Sequence, residues 1–163
     1  MTLQGKYKLK GNLQLSGDKS ISHRALIIGS LSIGETKIYN LLESKDIQST
    51  INILKELGIK IIKKNNYWLV NGNGTGGFKQ PNSALDAGNS GTTSRLIFGI
   101  VATMPIYCTF IGDSSLSKRP MSRVTNFLAN FGAKVTLTNK DYFPLSIHGT
   151  SEAIPLRHNI TKP

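Results

Sequence analysis

The sequence predicts an α/β (α+β) chain built from two copies of one helix–strand–helix–strand–strand unit. Three pairs of matching segments predict it. Gly17-Asp18-Lys19-Ser20-Ile21-Ser22-His23-Arg24 and Gly88-Asn89-Ser90-Gly91-Thr92-Thr93-Ser94-Arg95 each open on glycine, carry small hydroxyl residues and reach an arginine seven positions later. Helix-like segments that stop at Gly58 and Gly132 each run on into a strand-like segment. Strand-like endings close on Gly72 and Gly149. The separations are 71, 74 and 77 residues, a slow drift of the kind loop insertions produce. A repeat of this length constrains the whole architecture, so it outranks any single-element reading.

The elements follow in order. Residues 6–16 alternate apolar and polar side chains and read as a strand. A helix is predicted from Lys19 or Ser20 to Ser32, with Gly34 as its stop. Residues 37–41 read as a short strand. The next helix covers about 46–57, with Ile47, Ile51 and Leu54 on one face. Strands are predicted near 59–63 and 67–71, then a glycine-rich loop over 72–77. The second unit repeats the plan: helix 91–103, strand 106–111, helix 119–131, strands 133–138 and 144–148. The unit boundaries are thus 17–84 and 85–150. The tail from Ser151 carries Pro155 and Pro163 and reads as a lead-in to further chain.

Composition bounds the function. The chain has 163 residues, 39% of them hydrophobic, enough for one packed domain or two small ones sharing a core. Cys108 is the single cysteine, which fits a reducing compartment. The N-terminal stretch lacks the apolar core of a signal peptide, so a cytoplasmic location is expected. The uncharged run 96–112 is short for a membrane span and is interrupted by Pro105, so no membrane association is expected. Net charge is +11, but the lysines are scattered, no run of five like charges exists, and Trp68 is the one tryptophan. Single-strand nucleic-acid binding wants stacking platforms in a basic groove. Solvated lysines around a small-anion site are the better account.

That site is predicted at the two glycine-led turns. A helix start has unpaired N–H groups and a positive dipole end, so it seats phosphate or carboxylate. Two such starts imply one or two substrates with several negative charges. A lysine at a helix start neutralises an anion as a compact point charge. Ser20 and Arg24, one turn apart, share a helix face and pair a hydroxyl with a guanidinium fork. Gly91 allows backbone to approach a ligand where a side chain would block it. The competing readings are ordinary: a solvated Lys19, an Arg24 paired with an aspartate, a capped helix start at Asn89–Thr92. Asp46 and Asp113 read as structural caps.

The two turns together with Gly112-Asp113-Ser114-Ser115-Leu116-Ser117-Lys118-Arg119-Pro120-Met121 resemble the 3-phosphoshikimate 1-carboxyvinyltransferase (5-enolpyruvylshikimate-3-phosphate synthase) family, over nearly the whole chain and in register. The sibling family acting on UDP-N-acetylglucosamine shares the fold but lacks this Lys-Ser…Arg arrangement. The resemblance implies the enolpyruvyl transferase fold, with two of its usual six repeats present. Residues 1–16 would be a strand of the second domain and 151–163 the approach to a third unit. It implies phosphoenolpyruvate contacts from Lys19, Asn89, Gly91, Thr92 and Arg119, and shikimate 3-phosphate contacts from Ser20 and Arg24. Arg95 would stand behind the loop and hold it, and Lys118 would be solvated. No metal or organic cofactor is implied. The acid/base residues would lie in the remaining half, so none of the catalytic groups is expected here and the chain reads as an N-terminal fragment with little turnover. Surface normally covered by the third repeat would be open to self-association.

Two departures stand out. His23 occupies a position where many relatives have Asn and reads as a packing or hydrogen-bonding residue. Leu96 follows Arg95 where several relatives have Pro, in a region that influences glyphosate sensitivity. Two other readings were weighed. One is a non-catalytic, basic nucleic-acid-binding module on the same fold. The other is a complete small transferase working as a homo-oligomer, disfavoured because no free Asp or Glu is placed as a general acid.

Overall fold

The structure, a computed structural model, describes residues 10–139 and 141–157. Helix α1 spans Lys19–Leu31 and starts because Asp18, the residue before it, accepts a hydrogen bond from Ile21 N at 2.7 Å. Strand β1 (Ile33–Ile38), helix α2 (Lys45–Glu56) and strands β2 (Lys60–Lys63) and β3 (Trp68–Asn73) complete the first half. A two-residue strand β4 (Leu85–Asp86) opens the second. It is followed by α3 (Gly91–Ala102), β5 (Tyr107–Ile111), a single 3-10 turn (Leu116–Lys118), α4 (Ser122–Asn130), β6 (Lys134–Thr138) and β7 (Tyr142–His148).

The pairing order recurs. In the first sheet β3 lies between β1 and β2, antiparallel to both. In the second, β7 lies between β5 and β6, again antiparallel to both. In each sheet the last strand of the set inserts between the earlier two. A glycine at its end, Gly72 within β3 and Gly149 just past β7, passes under the end of the set's first helix. A Cβ on Gly72 would lie 2.2 Å from Gly29 O and 2.3 Å from Ser32 O. A Cβ on Gly149 would lie 1.9 Å from Val101 O and 2.1 Å from Met104 O. Both positions therefore admit only glycine, and for one reason: backbone packs directly on backbone. The stops after α2 and α4, Gly58 and Gly132, hold φ of +89° and +112°.

The core is continuous between the halves. It runs from Leu26, Ile47, Ile51 and Leu54 to Leu85, Phe98, Phe110 and Ile147. Phe98 and Phe110 meet edge to face at 4.8 Å, a favoured geometry for aromatic rings. Helix α1 lies on the first sheet and α3 on the second, and α2 packs against both. Burial pushes the Cys108 thiol up to about 12, so it stays protonated as a small apolar residue. Ile21, Ile28 and Leu96 remain exposed on α1 and α3.

Several expectations need correction. Residues 10–16 form no strand, and 6–9 lie outside the described residues. Alternation alone does not make a strand without a partner edge. The strand expected at 37–41 lies at Ile33–Ile38, because it pairs along the whole of β3. Strand β3 also reaches into the predicted glycine loop, to Asn73. The helix expected from 119 begins at Ser122, so Pro120 precedes it. Strand β4 was not predicted; two residues carry no period. Residues 158–163 of the predicted lead-in lie outside the described residues.

Candidate anion-binding site

Strand β4 is short but decides the site. It runs parallel to β5, so the two chains leave the sheet side by side at the same edge. One becomes the Gly88–Ser90 turn, the other the Gly112–Arg119 loop. Backbone bonds lace them together, Ala87 N to Ile111 O at 3.0 Å and Asp113 N to Gly88 O at 2.9 Å. Asp113 then acts as a hub. Its Oδ1 accepts from Ser115 N at 2.9 Å and Leu116 N at 2.8 Å, and its Oδ2 from Asn89 Nδ2 at 2.6 Å. The Leu116 N–H, the Asn89 amide and nearby Arg119 all hold its carboxyl below the ordinary value, against the effect of burial. Its predicted capping role is what the geometry gives.

Two arginines converge on the start of α3. Arg119 donates to Asn89 Oδ1, and to Ser115 Oγ at 3.2 Å. Arg95 donates to Pro120 O at 3.4 Å, so it grips the loop that carries Arg119. A Cβ built on Gly91 would lie 3.1 Å from Arg95 Nη1 and 3.5 Å from Arg119 Nη1. Among the described residues the ion pairs are Lys19–Asp46 and Lys63–Glu43, so neither guanidinium has a carboxylate partner. Two guanidiniums without an ion-pair partner at a helix N-terminus make a field that an anion relieves. Thr92 is exposed beside them, and among the described residues its side chain makes no hydrogen bond.

The first turn lies against the same corner. Lys19 Nζ pairs with the carboxylate of Asp46, in the first turn of α2. The carbonyl of Asp46 lies 3.3 Å from Thr93 Oγ1 on α3. Asp46 thus links the α1 turn to the α3 turn. It was expected as a helix cap; Ser44 caps α2 instead, its Oγ accepting from Ile47 N at 3.4 Å. Ser20 and Arg24 are exposed, and among the described residues their side chains carry no hydrogen bond or ion pair. Among the described residues, then, Arg24 is not spent on an aspartate. Lys118 is exposed, as a solvated residue should be.

Sequence reasoning missed the roles of Asp46, Asp113 and Ser115 in aiming Lys19 and Arg119. A cleft of about 370 Å³ near Leu41, Lys63 and Trp68 lies apart from these turns, and Glu43 neutralises its Lys63. Among the described residues no group of three or more His, Cys, Asp or Glu could hold a metal ion, and no helix is long and apolar enough to cross a membrane.

The model of the family described as EPSP synthase (3-phosphoshikimate 1-carboxyvinyltransferase) matches residues 3–159. The chain belongs to the EPSP synthase family. It is 49% identical over 159 residues to the 3-phosphoshikimate 1-carboxyvinyltransferase of Paracoccus denitrificans, covering 97% of this chain and 36% of that one. It is 46% identical over 153 residues to the enzyme of that name from Novosphingobium aromaticivorans, covering 93% and 35%. A solved EPSP synthase from Acinetobacter baumannii superposes with a TM-score of 0.86 at 36% identity, over 91% of this chain and 34% of that one. The chain thus spans about a third of the length of the EPSP synthases it matches.

Gly91 gives a direct test. Alanine there meets only the flexible ends of Arg95, Arg119 and Leu116. Alanine also favours the helix over glycine by up to about 1 kcal/mol. Gly91→Ala should therefore melt no lower than the parent, yet weaken binding of inorganic phosphate about tenfold, because its methyl stands between the two guanidiniums. Thermal melts and phosphate titrations of the two proteins check both signs.

Proposed function

We propose that this chain forms a polyanion-binding face for enolpyruvyl transfer from phosphoenolpyruvate to shikimate 3-phosphate. The observation that carries the reading is the pair of guanidiniums, Arg95 and Arg119, beside Gly91 at the start of α3, neither ion-paired to a carboxylate among the described residues. Lys19, Asn89, Gly91, Thr92 and Arg119 would receive phosphoenolpyruvate. Ser20 and Arg24 would receive shikimate 3-phosphate, and Arg95 would hold the Pro120 loop. Two polyanions repel each other, so gathering them is itself much of the catalysis.

The reaction proceeds by addition and elimination. The 5-hydroxyl oxygen bonds to C2 of phosphoenolpyruvate, its proton leaves to a base, and C3 gains a proton to become methyl. The tetrahedral intermediate then expels inorganic phosphate as C3 loses a proton, leaving the carboxyvinyl ether. The carboxylates beside the turns are already engaged: Asp18 caps α1, Asp46 holds Lys19, Asp86 accepts from Gly88 N, and Asp113 organises the loop. We assign the proton transfers to groups outside this face.

Calorimetric titration of the chain with each substrate tests the proposal, alongside phosphate release in the mixture. Heat of binding for both, without steady release, is the expected result. Absence of binding for both overturns the reading. Steady release would place the acid and base among these 163 residues.

A further inference from the structure

Thr50 is a polar residue within the apolar stripe of α2 and is fully buried. A buried hydroxyl needs partners, and Thr50 has them on both neighbouring helices. His23 Nδ1 of α1 lies 2.7 Å from its Oγ1, and Thr93 Oγ1 of α3 lies 2.7 Å away on the other side. Thr93 Oγ1 continues to Ser90 Oγ at 2.6 Å, and Ser90 caps α3 by accepting from Thr93 N at 3.2 Å. All four side chains are buried.

We infer that this His23–Thr50–Thr93–Ser90 relay is a positioning device that fixes the start of α3 against α1, and so sets the spacing between the two anion-binding turns. Apolar contacts between helices tolerate small slides, whereas a run of bonds near 2.7 Å does not. The relay ends at the residue between Asn89 and Gly91, and it begins one turn from Lys19 and Ser20.

Proton accounting gives the relay a direction. Thr93 donates to Ser90, so its oxygen is left to accept from Thr50. Thr50 in turn accepts from the His23 Nδ1–H. Both threonine hydroxyls also lie 3.3 Å from the Asp46 carbonyl, a longer second contact. His23 Nε2 is then an acceptor, buried with no partner among the described residues. The other tautomer would strand an N–H there, which folded proteins rarely allow. Burial first, then Lys19, lowers the His23 pKa against the pull of Asp46, which keeps the ring neutral at neutral pH.

Three variants of the 163-residue chain test the relay. Thr50→Val keeps the shape and deletes the hydroxyl, Thr50→Ser keeps the hydroxyl and deletes the methyl, and His23→Leu removes the far end. Thr50→Val and His23→Leu should each move the amide resonances of Asn89, Ser90, Gly91 and Thr92, and each weaken inorganic phosphate about tenfold. Thr50→Ser should do neither. Shifts confined to the substituted helix overturn the relay. So does a Thr50→Ser variant as disturbed as Thr50→Val, because packing would then be the cause. The phosphate arm rests on the functional reading above. If the parent chain binds no phosphate, that reading fails, while the ligand-free resonances still decide the relay.

Discussion

Gly149→Ala is expected to lose about 3 kcal/mol of stability, the upper range for overpacking a dense interior. Its methyl would fall 1.9 Å from Val101 O and 2.1 Å from Met104 O, and both are backbone atoms at the end of α3. Neither can rotate away, unlike the side-chain neighbours of Gly91. Relief requires moving β7 off the helix, which also stretches the bonds from Gly149 N to Ile106 O and from Thr150 N to Ala102 O. For a chain of this size the melting midpoint should drop by roughly 10 °C. Circular dichroism melts check it, and a midpoint within about 2 °C of the parent would refute the backbone-contact argument. Gly72→Ala should behave alike, since its methyl meets two carbonyls of the first half at similar distances.

The second large effect concerns binding. On the function proposed above, Arg119→Ala should weaken phosphoenolpyruvate binding by roughly a hundredfold, as expected for removing a charge-assisted donor from a site held in place. Arg119 is aimed by Asn89 Oδ1 and Ser115 Oγ, so its orientation is fixed before any ligand arrives. Lysine at this position should not restore affinity, because a single ammonium cannot keep both anchors and still face the anion. Calorimetry on Arg119→Ala, Arg119→Lys and the surface control Lys134→Ala checks this. Equal losses in all three would mean that general charge, not this site, attracts the ligand.

Much of the architecture was legible because the repeat is written in glycines. Gly58 and Gly132 mark helix stops by their positive φ, and Gly72 and Gly149 mark places where a strand touches a helix end. These constraints are local, so they survive in sequence. The α1 and α3 starts were legible for the same reason, since Asp18 and Ser90 cap within three residues of the groups they satisfy. What was not legible depends on pairing between distant segments. Strand β4 is two residues long and exists because β5 lies beside it. The first strand slid to Ile33–Ile38 because β3 offered a longer edge.

At the site, residue types were readable but their partners were not. Arg95 and Arg119 could be named, yet their convergence on Gly91 needs the parallel exit of β4 and β5. Asp46 was read as a cap from its place at the start of a predicted helix, but Ser44 holds that role. The Asp46 carboxylate is instead drawn to Lys19 across the helix pair. Thr50 carried a signal that could have been used. A threonine between Ile47 and Ile51 interrupts an apolar face, and such an interruption asks for a buried partner.

The shared strand order of the two sheets has an evolutionary consequence. Each set carries its cationic residues at the same place, the opening of its first helix, with an arginine one turn inside. Copying such a segment once yields two such openings in a single event, already joined through a common helical interior. On the function proposed above, two substrates that repel one another need two seats at fixed distance. Tandem copying of a gene segment would supply that arrangement in one step.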